Sequence, residues 1–398
     1  MTTITQTTFP SPVPEAARWL KDVTFPADRP LINVSQAAPV LPPPDGMIAA
    51  MAEALQETAT HLYSADLGIA PLRAELAASW ARHYGGMVVA DQVAITSGCN
   101  QAFAATIAAI CGKGDEVILP TPWYFNHKMW LDMAGVTAQP LPTDAGLLPD
   151  PDDARRLITP ATRAIVLVSP NNPGGVEYPP ALIRAFFDLA AETGLKLIVD
   201  ETYRDFHSQP GAPHDLLSGD GWDQTLIQLY SFSKSYRLTG HRVGALVGHP
   251  CLMPEVEKFI DTVTICPSGL GQRAALWGLQ NLDQWVAQER DEIASRRAAI
   301  RDLFPALQDR GWRLKGLGAY FAYVEHPFEM SSDRLARALV SEAGILALPG
   351  TMFVPETDPS GARHLRIAYA NIDADKIKTL FARLKALPWP LAPRDGAA

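Results

Sequence analysis

The sequence predicts an α/β fold: a large domain with a mainly parallel sheet flanked by helices, followed by a smaller α/β domain at the C-terminus. The first observation is a series of short apolar runs, Val93–Thr96, Glu116–Leu119, Ala164–Val168, Leu195–Val199, Thr225–Leu229 and Val243–Val247. Runs of strand length without polar alternation suit strands covered on both faces, as in a parallel sheet. The second is the helical stretches between them, such as Gln101–Ile110 and Pro180–Glu192, which give the alternation of an α/β domain. The third lies further on, where Gly318–Val324 and His364–Tyr369 read as alternating strands around a helix at Arg334–Glu342.

Bulk properties bound the function. The chain has 398 residues, 47% of them hydrophobic, which suffices for two domains. A net charge of −9 argues against non-specific nucleic-acid binding, which needs a basic face. No apolar run reaches the roughly 20 residues that span a bilayer, so no membrane partner is expected. Met1–Gln6 has neither a basic start nor an apolar core, so no signal peptide is expected. Cys99, Cys111, Cys251 and Cys266 are scattered, as free thiols in a reducing cytoplasm would be. Neither they nor the nine histidines show metal-ligand spacing.

In chain order, residues 1–45 contain nine prolines and read as an extended arm. Met47–Thr58 has helical apolar spacing. His61–Gly68 then leads to Pro71-Leu72-Arg73, where a proline suits the first turn of a new helix. The strand Val93–Thr96 ends at Ser97-Gly98-Cys99-Asn100, and a helix begins. Free N–H groups and the positive helix end there make an anion site. Gly112-Lys113 lacks the upstream glycine and following Ser/Thr of a phosphate loop, so it reads as a turn.

Pro120–His127 places Trp123, Tyr124 and Phe125 at a strand's C-terminal end, where α/β proteins bind ligands. Ser169–Gly174 ends the next strand, and Asp200-Glu201-Thr202-Tyr203 the one after. A carboxylate closing an apolar strand needs a partner, and Arg204 is an ordinary local choice. Lys234 follows a strand among small hydroxyls in Ser231-Phe232-Ser233-Lys234-Ser235, and eight residues later comes Arg242, before Val243-Gly244-Ala245. The charged segment Ala287–Leu307 reads as the helix joining the domains, and Pro390–Ala398 as a frayed tail.

From about Tyr63 to Arg366 this ordered set resembles the class I/II aminotransferases, pyridoxal-phosphate enzymes of the aspartate aminotransferase fold type I. The resemblance implies a large cofactor-binding domain at 46–288 and a small domain at 289–398 that also takes in the arm, 1–45. It implies pyridoxal 5′-phosphate as cofactor, held covalently by Lys234, with Asp200 on the pyridine nitrogen and Asn172 and Tyr203 on the ring oxygen. Gly98, Cys99, Asn100, Ser231, Ser233 and Arg242 would hold the phosphate, joined by Tyr63 from the other subunit of a homodimer. A packing role is the plain alternative for Tyr63. Tyr124 would stack on the ring, with Trp123 as rival. Arg366 would clamp the substrate carboxylate, helped by Asn172 and by backbone near Ala37, where relatives often carry glycine.

The implied reaction moves an amino group from an L-amino acid to a 2-oxo acid in two half-reactions. A carbon–sulfur lyase or decarboxylase on the same fold is the competing reading, since fold does not fix reaction. A transcription regulator with an aminotransferase-like domain would need a DNA-binding domain, for which the segment before Tyr63 offers no room. Dicarboxylate-specific relatives use a second arginine from the partner. Aligning on Pro267-Ser268-Gly269 puts that place near Asp261–Thr264, where no arginine stands. A neutral, apolar or aromatic donor is therefore expected.

Overall fold

A computed structural model describes residues 3–209 and 211–392. At its centre is a seven-stranded sheet, in the order Val93–Thr96, Gly244–Val247, Leu226–Ser231, Lys196–Asp200, Thr162–Val168, Glu116–Thr121, Thr137–Pro142. All neighbours pair in parallel except Gly244–Val247, which runs antiparallel to both strands beside it. The α/β expectation is therefore met. The register brings Val168, Asp200 and Leu229 abreast, and likewise Ser231, Gly244 and Thr96. One edge of the sheet thus gathers the starts of the loops that carry Cys99, Asn172, Asp200 and Lys234, while Ala37, Tyr63 and Arg366 come from elsewhere in the chain.

Both sheet faces are covered, which explains the unbroken apolar runs. Leu197 and Val199 point into a cluster with Trp80 and Phe186, while Ile198 between them points into another with Phe103 and Ile107. This is the period-two alternation of a strand, with both sides buried.

A second sheet of four antiparallel strands follows, in the order Leu348–Pro349, His364–Ala368, Phe321–Glu325, Arg313–Gly318. Its core includes Phe321 and Ile367, with Ile300 and Leu380 from the helices Asp283–Leu303 and Ala374–Lys385. In register, Arg366 stands between Tyr323 and Leu348.

Several expectations need correction. Gly318–Val324 is not one strand: the chain turns at Ala319-Tyr320, so Gly318 ends one strand and Phe321 begins the next. Gly318 is there for close approach, since a Cβ on it would lie 2.1 Å from the Gly175 carbonyl oxygen. The arm is not simply extended. It contains a 3-10 turn at Ile4–Thr7, a helix at Pro12–Arg18, and a two-residue strand, Ile32–Asn33, parallel to Ile345–Leu346. Pro12 and Pro14 sit in the helix's first turn, where no backbone N–H is required.

The helix expected at Met47–Thr58 spans Asp45–Ala54. The long helix breaks before Pro305, which lacks the N–H to continue it. The start of the tail is tied down, because Ala392 donates its N–H to the Pro327 carbonyl (2.8 Å). Residues 393–398 lie outside those described. Among the described residues, no helix is long and apolar enough to cross a membrane.

Candidate active site

The loops at the sheet edge enclose a cavity of about 550 Å³. Twelve of the fourteen residues singled out in the sequence line it, and Gly98 adjoins Cys99 at its wall. Tyr63 does not line it; its side chain is 78% exposed.

Lys234 sits on a four-residue helical turn, Phe232–Ser235, directly after the strand that ends at Ser231. Ser231 caps the turn by accepting the Ser233 N–H (3.2 Å). The Lys234 ammonium donates to the Ala37 carbonyl, which joins the arm to the centre of the cavity. Burial pulls its pKa down to about 8, and the charges of Arg242 and Arg366 act in the same direction.

Arg242 donates Nη1 to Ser233 Oγ (3.2 Å) and to the Thr239 carbonyl (3.1 Å), and Nη2 to the Ser97 carbonyl (3.5 Å). Its backbone is left-handed (φ 49°), a strained setting for a side chain of this size. Gly98 makes room for it, since a Cβ there would lie 2.2 Å from Arg242 Nη2. Next to it starts the helix Cys99–Ile110, with its free N–H groups. The Cys99 thiol is pushed well up by burial, then by the nearby Asp200 charge.

Arg366 is 2% exposed. Nη1 donates to Asn172 Oδ1 (3.0 Å), Nη2 donates to the Ser35 carbonyl, and Nε has no partner. Its guanidinium lies 5.0 Å from the Phe353 ring centre and 5.1 Å from that of Phe321. Among the described residues, no carboxylate pairs with Lys234, Arg242 or Arg366. Three cations thus converge on one cavity without counter-ions, which makes it a place for anions.

Asp200 supplies the opposite charge. It is 3% exposed and accepts the Thr202 N–H through Oδ1 (2.9 Å). Burial alone would raise its pKa, but His127 and Thr202 more than offset that and hold it below the usual carboxylate range. Arg204, the local alternative, turns instead to Asp205 (3.1 Å). The partner of Asp200 is His127, whose Nε2 lies 3.2 Å from Oδ2. Tyr203 packs edge-on against Phe321 and tilted on Tyr320, and burial pushes its hydroxyl pKa up.

Of the two rival aromatics, Tyr124 faces the cavity, and its hydroxyl donates to Asn100 Oδ1 (3.2 Å) and accepts from Asn126 Nδ2 (3.1 Å). Trp123 is buried outside the cavity. Asn126, Thr202 and Gln36 also line it and were not singled out in the sequence. For His127 a signal existed: it lies three residues after Tyr124, on the helix Phe125–Ala134, and so turns back to the same side.

Residues 29–384 match the family described as aminotransferase class I and II. The chain is 30% identical to an aspartate/prephenate aminotransferase of Thermus thermophilus, over 89% of this chain and 91% of that one. It is 27% identical to an aromatic aminotransferase of Arabidopsis thaliana, over 86% of each. A solved Thermus thermophilus aspartate aminotransferase, a double mutant, superposes with a TM-score of 0.85 at 27% identity, covering 96% of this chain and 98% of that one.

Proposed function

The chain belongs to the class I and II aminotransferases, and on that footing we propose that it transfers the amino group of a neutral, apolar or aromatic L-amino acid to a 2-oxo acid by a ping-pong mechanism. The family is pyridoxal-phosphate dependent, and the donor set here fits that group. Three cations without counter-ions match a phosphate and a substrate carboxylate, and the ionised, buried Asp200 matches a protonated ring nitrogen. Arg366 Nε, buried and unpartnered, is left for an incoming carboxylate.

Pyridoxal phosphate supplies an aldehyde that a lysine amine can hold and a ring that accepts the electron pair left when a Cα proton departs. In this reading Arg242, Ser231 and Ser233, with the N–H groups at Gly98, Cys99 and Asn100, hold the phosphate. Asp200 keeps the ring nitrogen protonated, Asn172 and Tyr203 take the ring oxygen, and Tyr124 covers the ring face. Arg366 binds the substrate carboxylate, with Asn172 and the backbone at Ala37 beside it. The Lys234 amine, with its pKa near 8, removes the Cα proton as a base and returns it as an acid. One amino acid and one oxo acid enter, and one of each leaves.

The same reading takes 46–288 as the cofactor domain and 289–398, with the arm, as the small one, supported by separate hydrophobic clusters around the two sheets. Two subunits form the working unit, and the cytoplasm is its compartment, consistent with four free thiols. The observation that carries the proposal is the meeting of Lys234, Asp200, Arg242 and Arg366 in one cavity. The test is product formation from a panel of amino acids with and without a 2-oxo acid. Turnover should require the oxo acid. Release of ammonia, sulfide or carbon dioxide from the amino acid alone would overturn transamination.

A further inference from the structure

Behind the Lys234 turn, on the side away from the cavity, lies a buried cluster that the reaction does not use. Asp205 is its centre. Its Oδ2 accepts two hydroxyl hydrogen bonds at 2.5 Å, from Ser235 Oγ and from Tyr230. Its Oδ1 accepts from Arg204 Nε (3.2 Å) and Nη2 (3.1 Å). The Arg204 guanidinium is wedged between rings, 4.0 Å from the centre of Trp80 and 4.7 Å from that of Tyr230. Ser235, Tyr230 and Arg204 are all buried. Burial alone would raise the Asp205 carboxyl; the Arg204 charge and the Ser235 and Tyr230 hydroxyls outweigh it and hold the group below the usual range.

We propose that Asp205 is a positioning residue for Lys234, acting through Ser235 and Tyr230. The proposal rests on Lys234 being the lysine that holds the cofactor. The turn Phe232–Ser235 has only four residues and cannot fix itself, because a single helical turn is marginal alone. Tyr230 lies at the end of the strand before it, and Ser235 is the residue directly after Lys234. One carboxylate oxygen therefore ties the entry and the exit of the turn together. Asp205 in turn follows Asp200 by five residues on the same loop, so the anchor also sets Lys234 against the carboxylate opposite it. Asp205 does not line the cavity. Its action is on where the lysine stem begins.

Ser235→Ala is the decisive variant, since it cuts the link to Lys234 and leaves the Arg204–Asp205 pair intact. We expect kcat to fall about tenfold, the effect of one lost hydrogen bond to a charged group, with the donor KM within roughly twofold because Arg366 is untouched. In cofactor-free protein, the rate of reductive methylation of the Lys234 amine, read by peptide mass spectrometry, should change severalfold. Asp205→Asn should give the same kcat loss, and the double variant should be no slower than the slower single. If Asp205→Asn does not fold, Ser235→Ala decides alone. Wild-type kcat and wild-type methylation in folded Ser235→Ala would overturn the proposal. So would kcat and KM effects that merely follow a lowered Tm. Borohydride fixing of the cofactor on a lysine other than Lys234 in the wild-type enzyme would instead overturn the underlying assignment.

Discussion

His127 Nε2 stands 3.2 Å from Oδ2 of Asp200, and its imidazole is stacked on Phe103 with the ring centres 3.9 Å apart. Phe103 is on the helix that starts at the anion turn, and His127 is on the helix that follows the aromatic run. Two helices therefore cooperate to place one imidazole behind the buried carboxylate. The edge of the same imidazole meets Tyr124 at 4.9 Å, which links the cavity-facing tyrosine to the buried charge.

Replacing His127 with phenylalanine keeps the stack and removes the nitrogen. The Asp200 carboxyl loses a main influence that lowers its pKa, so it protonates at a higher pH. The acidic limb of the kcat profile should move to higher pH, and kcat at neutral pH should fall about ten- to a hundredfold, the effect of losing a close polar contact to a charge. Asp200→Asn, which removes the charge altogether, should lose more, by further orders of magnitude, and still fold. A pH–rate series on both variants checks the order. A profile for His127→Phe that overlays the wild type would show that the contact is only packing.

The Lys234 amine can be tested without cofactor. Its pKa is lowered from 10.5 to about 8, so above pH 8 most of it is a neutral nucleophile. Acylation of Lys234 in the cofactor-free protein should therefore have its midpoint near pH 8. Burial is the main cause and the Arg242 charge the next. Arg242→Met removes the charge, favours the protonated amine and should move the midpoint upward. A midpoint above pH 10 in the wild type would contradict the geometry.

How much of this was legible in the sequence follows from distance along the chain. The strands announce themselves because burial on both faces leaves unbroken apolar runs, and their loops follow within a few residues. Lys234, Asp200 and Asn172 stand out in the sequence for that reason, and all three line the cavity. His127 was not, because it stands among aromatics and its partner is 73 residues away (200 − 127), across the sheet. Arg204 stands as the plain local alternative for Asp200 in the sequence, which shows proximity but not direction; the rings of Trp80 and Tyr230 hold it on the other side. The arm misled through its prolines, two of which open a helix instead of preventing one.

Tyr63 is exposed together with Leu62, and nearby Val263 and Ile265 are exposed too. Ser64 bonds the buried Gln272 beneath Tyr63 (3.1 Å), and Gln101, next to the cavity's Asn100, bonds Thr264 (2.9 Å). An apolar surface of this kind bordering a cavity suits an interface that completes it. Mixing Lys234→Ala with Tyr63→Ala subunits should then restore activity, because one of the two sites in each mixed dimer is intact. Activity no higher than that of the Tyr63→Ala enzyme alone would mean that sites are not shared. An active monomer in sedimentation at low concentration would end the idea.

The side-chain preference is the last expectation. Lys234, Arg242 and Arg366 are the only cations that line the cavity among the described residues, and the proposed reaction uses all three. Two further arginines are engaged elsewhere: Arg29 donates to the Glu342 carbonyl (2.6 Å), and Arg273 pairs with Glu57 (2.6 Å). Thr264, where dicarboxylate enzymes would have an arginine nearby, hydrogen-bonds Gln101 instead. The cavity wall includes Val13 and Pro14 from the arm helix, with Phe125 at the start of the helix Phe125–Ala134. A second substrate carboxylate there would lose its water without gaining a cation, which costs several kcal/mol, on the order of that for any unpaired buried charge. A phenyl or thioether group would instead bury apolar area at about 25 cal/mol per Å². In steady-state assays, kcat/KM for phenylalanine or methionine should exceed that for aspartate by at least about tenfold, equivalent to roughly 1.4 kcal/mol. Alanine should fall below them because it fills less of the space, and glutamate can remain a second substrate by folding its longer chain toward solvent. Aspartate preferred over every neutral donor would refute the assignment and point to a cation supplied by the partner subunit.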